Sequence, residues 1–254
     1  MARLDRARPR RPLIVPAVLG GTRLYLPSTG TAPVSPLFDV NWEDTGSASP
    51  ARRPLPSAPS GSAMTTLNFM DVDMTDRDIL MAQHVSPPLA GDQTITAQAI
   101  KLAIRAAEVL TSQDMFVAWM VKVVNGTGLI DRGTLVTIRR DDVELATTLT
   151  NRLIEATSSQ VDGLNGDRIV LEYGVGGDPL VSHDSSLRVG DAAGSDLPYD
   201  DTTTTDLNPF IQFAQNLIFG AEAGIKLIWE VSVGGTGTGQ TGEGGYYQEV
   251  GLTQ

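Results

Sequence analysis

The stretch FVAWMVKVV, Phe116–Val124, decides the fold. Its residues are β-branched, aromatic or otherwise apolar at almost every position, and Lys122 is its one charge. An amphipathic strand alternates, whereas a strand covered on both faces reads as a continuous apolar run, so this one is expected at the centre of a sheet. Working outward, GTLVTIRR (133–140) alternates Leu135 and Thr137 against Val136 and Ile138, the pattern of a half-buried strand. DVELATTLT (142–150), DRIVLEYGV (167–175) and IKLIWEVSV (225–233) read the same way, and MTTLNFM (64–70) opens the series. NGTG (125–128), DGLNGD (162–167) and GGDP (176–179) separate them with turn formers. Short strands punctuated by Gly, Asn and Asp predict an all-β chain, an antiparallel β-sandwich.

One stretch fits two periods. TITAQAIKLAIRAAEVL (94–110) places Ile100, Ala103, Ile104 and Ala107 on one face as a helix. As a strand it places Ile100, Leu102, Ile104 and Ala106 on one face and Lys101 and Arg105 on the other. Its Ala, Leu and Lys content favours helix, and its β surroundings favour strand. Residues 207–219 read as strand or helical turn.

The front of the chain has another texture. Ten of the fifteen prolines lie in residues 1–63, at a spacing that suits neither helix nor central strand. SASPARRPLPSAPSGSA (47–63) reads as a flexible or polyproline-like linker. The segment still carries Leu13, Ile14, Val15, Tyr25, Phe38 and Trp42, too few to form a core alone and costly to leave in water. We therefore expect an arm, residues 1–63, that docks on a partner surface through Arg10, Arg11, Leu13, Ile14, Tyr25, Phe38 and Trp42, followed by a sandwich over 64–233 and a Gly-rich tail over 234–254.

Charge divides along the same line. Eight arginines against four acids give residues 1–63 a net +4, while eleven basic and 26 acidic groups give the remainder a net −15. So acidic a body repels nucleic acid. No apolar run approaches the ~20 residues that span a bilayer, which points away from membranes. There is no cysteine, and with it no disulfide, thiolate metal site or cysteine nucleophile.

Chemical motifs are sparse. His84 and His183 are the two histidines, and neither adjoins a G-x-S-x-G turn. GVGG (174–177) lacks the spacing of a phosphate loop and reads as a β-turn. Trp119, Tyr173 and Trp229 could stack on a sugar, although the apolar flanks of Trp119 favour core packing. No cofactor is implied. The one cation reading is calcium at HDSSLRVGD (183–191), on Asp178, Asp184 and Asp191, where hard oxygen ligands are dense. Acid runs usually stay in water, so the same residues also read as a solvated rim.

RPRRPLIVPAVLGGTRLYLPSTGTAPVSPLFDVNWE, GTLVTIRRDDVELATTLTNR, GDRIVLEYGVGGDP and HDSSLRVGDAAGSDLPYDDTTTTDLNPFIQF together resemble a jelly-roll module of structural proteins of tailed bacteriophages. The resemblance covers most of residues 8–220. It implies a jelly-roll sandwich with a strand at 94–110, and a non-enzymatic virion protein at the particle surface. Its expected role is capsid decoration, or alternatively tail or neck adhesion to carbohydrate. Its expected partners are other virion proteins and further copies of itself, as in a trimer.

Overall fold

A computed structural model describes residues 21–47, 49–72, 75–177 and 182–221. Within them the chain is all-β, and no helix occurs among the described residues. Fourteen strands follow in order: β1 (Arg23–Tyr25), β2 (Asp44–Thr45), β3 (Ala51–Pro54), β4 (Thr65–Phe69), β5 (Arg77–Val85), β6 (Gln93–Ile95) and β7 (Ala99–Glu108). Then come β8 (Met115–Val124), β9 (Asp131–Arg140), β10 (Thr150–Thr157), β11 (Val161–Gly163), β12 (Arg168–Gly177), β13 (Ser185–Val189) and β14 (Phe210–Phe213). The chain divides into two compact units, 1–220 and 221–254, and all fourteen strands belong to the first.

Two six-stranded sheets form a sandwich. In the first, β7 takes β10 along one edge and β14 then β13 along the other, with β1 outside β14 and β4 outside β13. In the second, β12 lies between β5 and β8, β9 closes one edge, and β2 and β3 add in parallel to the far edge of β5. The pair β6–β11 stands apart. One apolar core fills the space between the sheets, with Ile100, Leu102, Ile104 and Ala106 facing Val117, Trp119, Val121, Leu171 and Tyr173. The ambiguous 94–110 stretch is thus strand over 99–108, with the alternation the strand reading assigns. Neighbouring strands outweigh its helix propensity because only the extended form places all four apolar residues in the core.

FVAWMVKVV is covered on both faces: Trp119 faces the core, and Ala118 and Met120 lie under Trp42. Its neighbour β12 is buried along its full length. GVGG is not a turn but the second half of β12. A side chain at Gly174 would collide with the Ile79 carbonyl, at the place where the β12–β5 register slips by one residue. Trp119 and Tyr173 are wholly buried, so neither offers a sugar platform. Two further expectations change. DVELATTLT is loop almost to its end, with β10 starting at Thr150, and RDILMAQHV, β5, is a central strand that the local sequence pattern does not announce. IKLIWEVSV, Trp229 and the Gly-rich tail lie outside the described residues.

The expected boundary at residue 63 is not a boundary of this fold. Leu24, Leu26 and Leu55 are fully buried in the common core. β1 pairs with β14, whose residues stand 185 or more positions away, and Leu55 donates its N–H to the Val85 carbonyl at 2.8 Å. Prolines suit an edge strand, where one side of the backbone needs no partner, so a Pro-rich segment can serve as a sheet margin.

Candidate functional site

Of the residues expected to hold a foreign surface, Tyr25, Phe38 and Trp42 hold the chain's own sandwich instead. Trp42 is buried and donates its Nε1–H to Glu172 Oε2 at 2.7 Å. Phe38 packs beside it and carries the Arg52 guanidinium 3.9 Å above its ring. The Tyr25 hydroxyl donates to Asp196 Oδ2 at 3.1 Å, and its ring meets Phe210 edge-on. Arg10, Arg11, Leu13 and Ile14 lie outside the described residues. As a docking set, Tyr25, Phe38 and Trp42 are corrected: an apolar residue without local periodicity still finds cover in its own fold through contacts too distant in sequence for any window to show.

The calcium reading meets a similar outcome. Asp178 lies outside the described residues. Asp184 accepts a hydrogen bond from the Ser182 hydroxyl at 3.0 Å, and Asp191 accepts from the Ala193 amide at 2.6 Å. The acids that follow are met by arginines: Asp196 by Arg23, Asp201 by Arg152, and Asp206 by Arg105 and Arg188 together. The Thr203 and Thr202 amides hold the Asp200 carboxyl below its ordinary range. No group of three or more candidate metal ligands occurs among the described residues. Both histidines are buried, with Nε2 directed at a backbone carbonyl, Pro27 for His84 and Gly177 for His183. Burial depresses His84 to about 3. A cleft of about 270 Å³ between β4 and the β2–β3 margin is lined by Gly46, Ser47, Ser49 and Thr66 among others, with no titratable side chain.

What the fold does assemble is a loop end. At one end of the sandwich lie the β7–β8 turn (109–114), the β9–β10 loop (141–149), the start of the β4–β5 connection (70–72) and the approach to β13 (182–184). Backbone bonds tie them into one rim. Val109 donates to the Asp184 carbonyl at 3.1 Å, His183 to Asp71 at 2.9 Å, Leu145 to Met115 at 2.7 Å and Glu108 to Ala146 at 3.1 Å. Gln113, fully buried, organises the turn. Its Oε1 accepts from the Val109 and Leu110 amides at 2.8 and 2.7 Å, and its Nε2 donates to the Ser182 hydroxyl at 2.8 Å. Next to it Asp114 takes a φ of 46°, the one non-Gly residue with positive φ among the described residues, a cost that surrounding contacts must hold in place.

This held rim displays Met70, Val72, Val109, Leu110 and Val143 to solvent, Val72 at 87% and Met70 at 78% exposure. Around them stand Asp71, Asp76, Asp114, Asp141, Asp142, Glu144 and Asp184, against Arg77, Arg139, Arg140 and Arg152. Below the surface Glu108 is only 3% exposed, and burial, with Glu144 and Asp114 nearby, pushes it up to about 7. Sequence reading missed this site. Its five apolar residues come from three separate loops, and each alone is an unremarked surface residue.

No family model and no curated protein matches the chain. Solved structures that resemble it include hydrolases. One is an α-amino acid ester hydrolase, 12% identical with a TM-score of 0.42, the match covering 76% of this chain and 36% of that one. Another is a CocE/NonD family hydrolase from Staphylococcus aureus, 12% identical with a TM-score of 0.41, covering 78% and 36%. The chain spans about a third of the length of these proteins. At this similarity the likeness transfers no activity. The expectation of a non-enzymatic virion protein, as capsid decoration or tail adhesin, is nevertheless corrected, because the arm that was to anchor the chain to a particle is, over its described residues between 21 and 63, part of the chain's own sandwich.

Proposed function

We propose that the sandwich is a recognition module that docks through its loop end onto a protein surface bearing basic groups around an apolar recess. The observation that carries this reading is the set of exposed apolar tips, Met70, Val72, Val109, Leu110 and Val143, on loops that are bonded to one another and surrounded by seven carboxylates against four arginines, an acidic excess. Exposed apolar side chains on preorganised loops become anchors when a partner buries them, because little ordering remains to oppose binding. The acids select the partner's charge. Nucleic acid and anionic bilayers are repelled, and a second copy would bring the same acids tip to tip.

A photo-crosslinking residue at Val143 identifies the partner, and binding isotherms against that partner then test the site. Val143→Asp and Leu110→Asp should each weaken binding by about tenfold or more, the scale of losing a buried anchor. Binding should also weaken as salt rises. Leu129→Asp, on the exposed β8–β9 turn at the opposite end of the sandwich from the rim, should bind as wild type. Equal binding by the tip variants and wild type would refute the reading.

A further inference from the structure

We propose that the free edge of β4 pairs with β4 of a second copy of this chain, joining two sandwiches through one continuous antiparallel sheet. This goes beyond the docking reading and does not depend on it.

A sheet edge is a row of unpaired amides and carbonyls, and proteins guard such rows with charges, prolines or a covering segment. Among the described residues, the edges of this sandwich are guarded with one exception. On β1 the Tyr25 amide donates to the Pro56 carbonyl at 2.8 Å. Along β10 the Asn151 and Leu153 amides donate to the Thr203 carbonyl and to Asp201 Oδ1, each at 2.8 Å, so the β13–β14 loop covers that edge. β9 carries Asp131, Arg132, Arg139 and Arg140, and the β2–β3 margin carries Asp44, Arg52, Arg53 and Pro54. β4, TTLNF, has none of these. Its backbone pairs with β13 and with no other described strand or loop, and its Thr65 and Asn68 are exposed.

The occupant follows from charge. No charged residue occurs from Pro54 to Met70, in a chain whose net charge is −11. Charged groups beside the edge are already paired: Arg188, in register with Thr66, with Asp206, and Asp71, just beyond β4, with Arg77. Two copies of a chain this acidic repel each other, and along this edge they approach without meeting like charge. The strand is also complementary to itself. Antiparallel pairing centred on Leu67 sets Leu67 against Leu67, Thr66 against Asn68 and Thr65 against Phe69, uncharged side chains at every crossing. Leu67 packs on the core, and an added strand presents its own Leu67 on that same inward face. There it meets the cleft between β4 and the β2–β3 margin, which Gly46 leaves open beside Met81. The two loop ends then face opposite directions, and both stay free.

Sedimentation equilibrium of the full chain should show monomer passing reversibly to dimer as concentration rises to about 1 mM, since strand pairs this short bind weakly. Thr65→Lys together with Asn68→Lys should weaken the dimer by about tenfold or more. These lysines reduce the net negative charge, so a general charge effect would act the other way. Both positions are exposed, and an unchanged melting temperature confirms the fold. The chain has no cysteine, so Asn68→Cys takes a single spin label. In the dimer the two labelled residues are diagonal neighbours about 7–8 Å apart, which broadens the electron paramagnetic resonance spectrum until dilution sharpens it. A monomer at every concentration overturns the proposal and leaves the edge to a strand of another protein. A dimer that ignores the lysines, or whose labels do not broaden, pairs through another face and overturns it as well.

Discussion

The outer faces of the two sheets are both covered by irregular chain, and they are covered by opposite chemistry. Over the second sheet, residues 32–42 lay Ala32, Val34, Phe38 and Trp42 on Val85, Val124, Val170, Leu80, Ala118 and Met120. At the centre of that cover sits one fully buried carboxylate, Glu172. It accepts from Trp42 Nε1, from the Asp39 amide at 3.0 Å and from Gln83 Nε2 at 2.9 Å, with Lys122 Nζ 3.7 Å away. Over the first sheet, the loop between β13 and β14 places Leu197, Leu207 and the edge of the Tyr199 ring on the apolar patch around Phe210, and is held by arginine–aspartate pairs and by Asn151 and Asn208 bonding to its carbonyls. One cover is a strap with an apolar grip, the other a mesh of charge. The difference teaches that an apolar, unperiodic segment and an acidic, unperiodic segment can do the same structural job, so composition alone does not say whose surface a segment was made to cover.

Substitutions in the two covers should separate them, and the largest effect is expected at the strap. Trp42→Ala removes a buried indole and the donor that Glu172 depends on, and should cost about 3–5 kcal/mol in urea denaturation. A loss below about 1 kcal/mol would mean the strap is loosely applied.

Acid should act on the root of the same strap, where neutral His84 donates its Nε2–H to the Pro27 carbonyl. Its folded value of about 3 lies below the ordinary 6.5, so the unfolded chain binds the extra proton. Stability contributed by keeping it neutral is complete above about pH 6.5 and is lost as pH falls toward 3, on the order of a few kcal/mol. Chemical denaturation of wild type and His84→Gln across pH 4–7 checks this, and parallel profiles would contradict it.

The mesh should respond less and differently. Asp206→Asn cuts the shared partner of Arg105 and Arg188; with Asp206 about a third exposed, ~1–2 kcal/mol is expected. High salt should shrink that difference and leave the Trp42→Ala difference unchanged. Equal salt sensitivity would erase the distinction between the two covers. The smallest effect belongs to Val40→Asp, at 93% exposure on the strap, expected within about 0.5 kcal/mol of wild type.

Much of the fold was legible where one local pattern carried it. FVAWMVKVV announced a strand covered on both faces, and the alternation in AIKLAIRA places its apolar set in the core once the extended form is chosen. What escaped depends on partners far along the chain. Nothing near Leu24 signals that it will meet Ile211, and nothing near Asp206 signals Arg105. β5 escaped because RDILMAQHV mixes Gln83 and His84 among its aliphatics, and both are buried by the strap and the core that the local pattern does not contain. The loop end was illegible for the same reason, since its tips converge only after both sheets have formed.

The described residues between 21 and 63 complete the sandwich rather than reach for another surface. Thermal denaturation of a chain lacking residues 1–63, beside the full chain, tests that claim most directly. Loss of Leu24, Leu26, Leu55 and the Trp42 strap predicts no cooperative transition, or a melting temperature lowered by more than about 15 °C. A truncated chain that melts cooperatively at the full-length temperature would contradict it and restore residues 1–63 as an arm for another surface.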